Sequence, residues 1–384
     1  MKPKKPNGIL YFLAMIVMWP YMKLCWHVKF HKKGFVRPKG AFIVVGNHVT
    51  FYDFISIALA LYPRRINFVA AAYFFRGKML GGLLRFMGVI PKLQFVPDIG
   101  SIKAIIGAVK SGRIVGLFPE GQVATYGRSD EFFPSGIGKL IKNLGVPVVL
   151  CHTDGGALVK PKWGKRKRRC PLDLTLSNLL TAEQAKQYSA AELDKLLREA
   201  LFYDDAAYAL SHSRKPKGTG RAEGIENALY LCPKCGGCCT FTAQGDRFSC
   251  SACGNTGLLD AHGLPLPVGP DDKIFPTLFQ WHRFQADETA RIVAQPDFHL
   301  ATKGTIHFSD GSTPGTALLK RDGITLQAGN RTEYCPLNAI QHMPCSVGKY
   351  FEIPRKEGII TVYPDDPRQV MQWPDAVAAL KKEE

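Results

Sequence analysis

The sequence predicts an α/β fold with a mostly parallel sheet in the first half of the chain. Four apolar, β-branched runs typical of buried strands alternate there with segments of helical periodicity. Two of the runs end in short polar loops, which is where parallel sheets place their binding sites. Because 384 residues exceed one ordinary core, we expect two or three domains.

The individual elements follow from the same periodicities. We predict strands at residues 41–46, 66–70, 113–118 and 146–151. We predict helices at residues 54–61, 76–87, 101–111, 135–144 and 181–201. The alternation of strands and helices favours a parallel sheet with helices on its faces.

The first polar loop offers a base and an acid that can orient it. Asn47 and His48 follow the strand at residues 41–46, and Asp53 opens the next helix. Because five positions separate His48 from Asp53, the loop can fold the imidazole back onto the carboxylate. A histidine held in this way is fixed in one tautomer and can act as a general base. The alternative is that Asp53 only caps the helix.

The second polar loop ends the strand at residues 113–118. It consists of Pro119, Glu120 and Gly121, and parallel pairing would bring it to the same edge of the sheet as the first loop. The alternative for this tripeptide is an ordinary turn with a solvated carboxylate. Two such loops in one α/β unit favour a functional site.

Together, the two loops resemble the motifs of the glycerolipid acyltransferases of the 1-acylglycerol-3-phosphate acyltransferase type. The pattern of that family is Asn-His-x4-Asp followed by Phe-Pro-Glu-Gly, and the resemblance covers about residues 1–210. The run GVPVVL at residues 145–150 is similar to the family's later Val-Pro strand. The chain departs from the pattern at Lys92, where the family has an arginine, and at Gln122, where threonine is usual.

The resemblance implies an enzyme that moves a fatty acyl group from a thioester to the hydroxyl of 1-acylglycerol-3-phosphate. His48 would be the base and Asp53 its orienting acid, without an acyl-enzyme. The acyl donor is a co-substrate, either acyl-CoA or acyl-carrier protein. The alternative acceptors are another lysophospholipid and glycerol 3-phosphate. The substrate-binding residues that it implies are Asn47, Glu120 and Gly121, with Lys92 and Arg128 as candidates for the phosphate.

The positive charge of the chain, +18 in all, is concentrated in the half that carries these loops. Residues 1–170 contain 28 basic and 6 acidic residues, a net charge of +22, which leaves −4 for residues 171–384. A basic surface suits anionic membrane lipids and a phosphorylated substrate, and nucleic acid is the other partner class to consider. The basic run at residues 160–169, around Trp163, is either a solvated loop or a contact at the level of the lipid headgroups.

The amino-terminal segment, residues 1–33, favours the membrane. Residues 9–22 are apolar apart from an interruption at Pro20, a run shorter than the roughly 20 residues that cross a bilayer easily. We therefore expect an interfacial or half-inserted anchor on the cytoplasmic side of the cell membrane, with a spanning helix as the alternative. A cleaved signal peptide is disfavoured, because a small-residue cleavage site is missing. The acyltransferase domain would follow at residues 34–210 and a linker at 211–224.

A metal site is predicted in the second half of the chain, at residues 225–262. Two CxxC motifs whose turns bring four thiolates together are typical of a zinc ribbon that holds structural Zn²⁺. Disulfides are one alternative, and iron–sulfur ligation is another that this spacing favours less. Reduced cysteines indicate a cytoplasmic location. The region is not basic, so nucleic acid is not expected as a partner. The predicted ligands are Cys232, Cys235, Cys250 and Cys253. Cys238 and Cys239 are in excess of the four, either as competing ligands or as packing residues.

Residues 275–384 are predicted to form a small β-rich domain. Short strand-like runs at 305–308, 317–319, 324–327 and 359–363 precede a terminal helix at 374–382. This order resembles a pleckstrin-homology (PH) or GRAM-like barrel, a likeness of fold that specifies no ligand. Two other functions therefore stay open, a non-catalytic lipid-binding module and a zinc-dependent nucleic-acid adaptor.

Overall fold

The computed structural model of the chain describes residues 4–75, 77–129, 133–355 and 358–383. It divides into two compact units, the first Met1–Val159 with Arg169–Arg214 and the second Lys160–Arg168 with Lys215–Glu384.

The boundary between the units at residues 214 and 215 lies within the predicted linker, residues 211–224. All residues after this boundary belong to the second unit. The linker is held at both ends. The side chain of Arg214 donates to Asp173 in the first unit, and Arg221 pairs with Asp246 in the second.

A seven-stranded sheet forms the centre of the first unit. Its strands are β1 (Val28–His31), β2 (Ile43–Gly46), β3 (Ile66–Ala71), β4 (Ile90–Lys92), β5 (Ile114–Leu117), β6 (Val148–Asp154) and β7 (Leu172–Leu180). They lie in the order β1-β7-β6-β2-β5-β3-β4. All neighbours pair in parallel except β6 and β7. The predicted α/β class is therefore confirmed for this unit.

Nine helices in the described part of the first unit accompany the sheet. They are α1 (Gly8–Cys25), α2 (Asp53–Leu61), α3 (Lys78–Phe86), α4 (Ile99–Lys110), α5 (Ile137–Leu144), α6 (Gly156–Val159), α7 (Ala182–Gln187), α8 (Ala190–Leu201) and α9 (Asp205–Ser211). The predicted helices at 54–61, 76–87, 101–111 and 135–144 are confirmed as α2 to α5, although Arg76 lies outside the described residues.

The predicted helical character of residues 181–201 is confirmed, but the segment forms two helices, α7 and α8. Thr181 and Ser189 each close a capping box, with Gln184 and Glu192 respectively. A second cap inside the segment starts a new helix, and Tyr188 before it is extended.

Three strands of this sheet were not predicted. In β7, Leu172, Leu174 and Leu176 alternate with polar residues and are buried, a pattern of period two that fits its antiparallel pairing with β6. The other two, β1 and β4, have only four and three residues. Short edge strands carry too few positions for a period to be recognised.

The strand order brings the two polar loops together. β2 and β5 are parallel neighbours in which Val45 is opposite Leu117, so the residues after each strand emerge at the same edge. From β2 the chain crosses to β3 on one side and later reaches β6 on the other, which makes this edge a topological switch point. β5 and the neighbouring β3 pack closely here, since a Cβ on Gly116 of β5 would lie 2.5 Å from the ring of Phe68 in β3.

Helix α1 packs on the first unit by one narrow face. Tyr11, Met15 and Met22 join its core, whereas most of the helix is exposed and apolar. In the described residues α1 is the one helix long and apolar enough to cross a membrane, with 17% of it buried, although a core helix or a signal sequence would meet the same test. Its 18 residues span about 27 Å at 1.5 Å per residue.

The described part of the second unit contains two antiparallel sheets and two helices. The first sheet consists of β8 (Phe241–Gln244), β9 (Arg247–Cys250), β10 (Thr256–Leu259) and β11 (Pro265–Pro267), in consecutive order. After α10 (Leu278–Val293) comes a sheet of seven strands, followed by α11 (Gln372–Glu383). Its strands are β12 (Leu300–His307), β13 (Ser312–Leu319), β14 (Gly323–Ala328), β15 (Arg331–Pro336), β16 (Cys345–Ser346), β17 (Tyr350–Arg355) and β18 (Gly358–Pro364).

The predicted β-rich character of residues 275–384 is confirmed. The four predicted runs lie in β12, β13, β14 and β18, and the terminal helix is α11. This sheet has the order β15-β14-β13-β12-β18-β17-β16, and Trp373 of α11 stacks on Phe351 in its core. The likeness to a PH or GRAM domain stays a prediction.

The basic run at residues 160–169 is not a free loop, so the membrane-contact interpretation of Trp163 is wrong. The Trp163 side chain is buried in the second unit, with 5% exposed. Two of the basic residues are ion-paired there, Lys165 with Glu226 and Arg166 with Glu223.

Candidate active site and metal cluster

His48 and Asp53 form a hydrogen-bonded pair at the carboxyl end of β2. The Nδ1 atom of His48 lies 2.9 Å from Oδ2 of Asp53, the first residue of α2. Asp53 is fully buried, whereas the His48 side chain is 21% exposed. Since Nδ1 faces the carboxylate, Nε2 is the ring nitrogen left to meet a substrate.

Three further hydrogen bonds fix the Asp53 carboxylate. Oδ2 also accepts from the backbone N–H groups of Val49 and Thr50, at 2.8 and 2.9 Å, and Oδ1 accepts from the Thr50 hydroxyl at 2.7 Å. A buried carboxylate needs such donors to remain charged. The loop between β2 and α2 therefore supplies its own anion and binds it tightly.

Aromatic stacking fixes the plane of the imidazole. The His48 ring lies 4.6 Å from that of Phe118, at an interplanar angle of 24°. Phe118 stacks in turn towards Phe68, the ring for which Gly116 leaves room. The hydrogen bond and the stack together leave the imidazole one orientation.

Glu120 joins the second loop to the first. Its Oε2 accepts from the backbone N–H of His48 at 2.8 Å, and its Oε1 accepts from the Ser129 hydroxyl at 3.4 Å. Gly121, which follows, has a φ of +73°, and its backbone oxygen accepts from Gln94 at 2.6 Å. A Cβ at Gly121 would be strained in this conformation.

Asn47 connects β2 with β6. Its amide donates to the backbone oxygen of Thr153 at 2.7 Å and accepts from the backbone N–H of Thr153 at 2.8 Å. Asn47 is fully buried, and both polar ends of its side chain are engaged in this pairing. The contact fixes the position from which His48 emerges.

The two candidate phosphate ligands differ in their surroundings. Lys92 ends β4 at the same edge of the sheet, where burial lowers the pKa of its ammonium group and the nearby Asp98 opposes that effect. Arg128 lies next to Ser129 in sequence and pairs with Asp204, at 3.6 Å between Nε and Oδ2. Its guanidinium group also stands 5.2 Å from the centre of the Phe202 ring.

Sequence analysis missed several partners of these groups. Thr50 was recognisable, because a threonine three residues before an aspartate is typical of a capping motif. Thr153 and Ser129 had no such pattern, since they reach Asn47 and Glu120 through tertiary structure.

The four predicted metal ligands converge in the second unit. The Sγ atoms of Cys232, Cys235, Cys250 and Cys253 all lie within 4.8 Å of one another. Two of the separations are 3.7 and 3.8 Å. Two sulfurs bound to one tetrahedral ion at about 2.3 Å would lie about 3.8 Å apart, so the cluster can hold such an ion.

Hydrogen-bond donors surround this cluster. Thr240 Oγ1 lies 3.1 Å from the sulfur of Cys250, and the backbone N–H of Gly237 lies 3.4 Å from that of Cys235. Such donors stabilise thiolates and orient metal ligands.

A family model and a curated relative each match part of the chain. A family model described as Acyltransferase matches residues 27–152. A 1-acyl-sn-glycerol-3-phosphate acyltransferase of Bacillus subtilis (strain 168) is 30% identical over 94 residues, which is 24% of this chain and 47% of the relative. The chain thus spans about half the length of that curated relative.

A solved structure is also similar in part. It is the 1-acyl-sn-glycerophosphate (LPA) acyltransferase PlsC from Thermotoga maritima, with 18% sequence identity and a TM-score of 0.41. The match covers 54% of this chain and 83% of that one.

The family match begins just before β1 and ends within β6, so it includes β2, β5 and both polar loops. His48, Asp53 and Glu120 all lie inside it. Residues 27–152 therefore match the acyltransferase family model, and the motifs within them are similar to those of the 1-acylglycerol-3-phosphate acyltransferase type.

Proposed function

We propose that the chain transfers a fatty acyl group from an acyl thioester to the free hydroxyl of 1-acylglycerol-3-phosphate, which gives phosphatidate. The observation that carries this proposal is the hydrogen bond between His48 and Asp53, set at the switch point of an acyltransferase-family domain. The name of the Bacillus subtilis relative supports the same acceptor.

His48 is the general base in this proposal. Its Nε2 takes the proton of the acceptor hydroxyl as the oxygen attacks the thioester carbonyl. The thiol then leaves with the proton from His48, which restores the neutral ring. The Asp53 carboxylate holds Nδ1–H and stabilises the imidazolium ion that forms between the two steps. Acyl transfer is direct, without an acyl-enzyme.

The acceptor phosphate is assigned to Lys92 and Arg128. Burial lowers the pKa of the half-buried Lys92, and a phosphate dianion beside it would raise that pKa again. Arg128 would add donors while its pairing with Asp204 holds it in place. Glu120 and Gly121 would shape the glycerol site, and Asn47 would hold the loop on which the base lies.

We place the reaction at the cytoplasmic face of the cell membrane, with α1 as a peripheral or monotopic anchor. The backbone N–H of Asn7, the cap of α1, donates to Phe86 of α3, so the two helices meet. Their apolar exposed side chains would enter the lipid, beside a basic surface that suits anionic headgroups. These side chains are Ile9, Phe12, Leu13, Ile16, Val17, Trp19 and Leu24 of α1, with Met79, Leu80, Leu83 and Phe86 of α3.

The ion of the four-cysteine cluster is assigned as structural Zn²⁺. Four thiolates leave a tetrahedral zinc ion no open position for substrate, so its contribution would be to the folding of the ribbon.

Acceptor choice tests the function directly. The full chain is given acyl-CoA or acyl-carrier protein with lysophosphatidate, glycerol 3-phosphate or lysophosphatidylethanolamine, and products are identified by mass spectrometry. Phosphatidate from lysophosphatidate is expected as the main product. Preferred acylation of another acceptor, or no transfer to any of the three, would contradict the proposal.

In the same assay, Lys92→Ala is expected to raise KM for lysophosphatidate about tenfold. A hydrogen bond to a charged group contributes about 1.5–3 kcal/mol, and 1.4 kcal/mol corresponds to a factor of ten. The control is Lys110→Ala, which changes an exposed lysine at the carboxyl end of α4. Equal KM values for the two variants would remove Lys92 from the phosphate site.

Asp53→Asn is expected to lower kcat by about 10²-fold or more, because the neutral amide cannot stabilise the imidazolium ion. Asp194→Asn is the matched control, since Asp194 also accepts backbone hydrogen bonds, from Gly136 and Gly138. Circular dichroism checks that both variants fold. A kcat for Asp53→Asn equal to that of the control would show that this carboxylate does not assist the base.

Metal analysis tests the zinc assignment. The chain purified under reducing conditions with zinc present is expected to contain one zinc ion, and Cys253→Ser is expected to lose most of it. Cys345→Ser, which changes a cysteine outside the cluster, should keep the full content. A zinc-free wild-type chain, or equal zinc in both variants, would overturn the assignment.

A further inference from the structure

Two cysteines that the metal cluster leaves out lie side by side in the second unit. The Sγ atoms of Cys238 and Cys239 are 3.8 Å apart, and neither residue belongs to the group of four. Cys238 is exposed and Cys239 is partly exposed, so a small molecule in solution can reach the pair.

An unusual backbone conformation brings the two sulfurs together. Consecutive side chains of an extended chain point in opposite directions. Cys239 has a φ of +54°, in the left-handed region that residues other than glycine rarely adopt. Its backbone N–H donates to Tyr230 at 2.7 Å, which helps to hold this turn.

A single amide contacts both sulfurs. Nε2 of Gln372, at the start of α11, lies 2.7 Å from Sγ of Cys238 and 3.0 Å from Sγ of Cys239. The shared hydrogen bond lowers the pKa of Cys238 to about 7 and raises the pKa of Cys239, so Cys238 is the sulfur that first becomes the reactive thiolate.

The sulfur separation suits one bridging atom better than a disulfide. At 3.8 Å it is within 0.1 Å of the two separations of 3.7 and 3.8 Å in the four-cysteine cluster. A disulfide would need sulfurs about 2.05 Å apart, and neighbouring Cα atoms, about 3.8 Å apart, are closer than the usual range for a disulfide.

We propose that Cys238 and Cys239 form a second soft-ligand site, a two-thiol chelate for a thiophilic metal or trivalent metalloid centre. Phenylarsine oxide is the matching probe. Both thiols lose their protons, two As–S bonds form, and the arsenic-bound oxygen leaves as water, so no oxidant is needed. Arsenic would then occupy the space between the sulfurs and displace the Gln372 amide, so binding should loosen the first turn of α11.

The test uses the metal-loaded full chain and one equivalent of phenylarsine oxide. Intact-mass measurement is expected to find one phenylarsine adduct, and peptide mapping is expected to place it on Cys238 and Cys239. The metal content should not change. Hydrogen exchange should increase at the start of α11.

Single-cysteine variants show whether both sulfurs take part. Cys238→Ser and Cys239→Ser should each bind the probe about 10²-fold more weakly, because a chelate gains from the second, intramolecular bond. Cys25→Ser removes an exposed cysteine of the first unit and should behave as wild type. Undiminished binding in either Cys238→Ser or Cys239→Ser would overturn the proposal. An adduct of the wild-type chain on the four cluster cysteines, with loss of metal, would also overturn it.

Discussion

The buried carboxylate of Asp53 is the group on which the candidate active site depends. It accepts four hydrogen bonds from His48, Val49 and Thr50, all within the loop that it terminates. A buried charge without such partners costs about 3–5 kcal/mol, so the carboxylate and the loop conformation require each other. Orientation of the His48 imidazole is thus part of the folding of the loop.

Side chains that hydrogen-bond to backbone groups connect this loop to the neighbouring strands of the sheet. Asn47 joins the end of β2 to β6 through Thr153, and Glu120 joins the loop after β5 to the backbone of His48. Three neighbouring strands are therefore tied together at their carboxyl ends. We expect Glu120 to position the base as well as to contact the acceptor, since one of its oxygens already binds the His48 backbone.

Much of this arrangement could be predicted because its causes are local. The buried strands β2, β3, β5 and β6 are apolar runs, and the pairing of His48 with Asp53 follows from a separation of five residues. Likewise, two CxxC motifs predict four converging thiolates. β7 was not predicted, because its apolar residues alternate with polar ones and form no continuous apolar run. The contacts of Thr153 and Ser129, and the turn at Cys239, depend on tertiary packing that no short pattern contains.

The central claim is that His48 removes the proton of the acceptor hydroxyl. Rapid-quench measurement of a single turnover, with acyl thioester and lysophosphatidate, tests it in the wild-type chain and in His48→Ala. We predict that the variant binds the acceptor with unchanged Kd, transfers the acyl group at least about 10³-fold more slowly, and that neither protein becomes acylated. Wild-type transfer rates in His48→Ala, or acylated wild-type protein as an intermediate, would contradict the account.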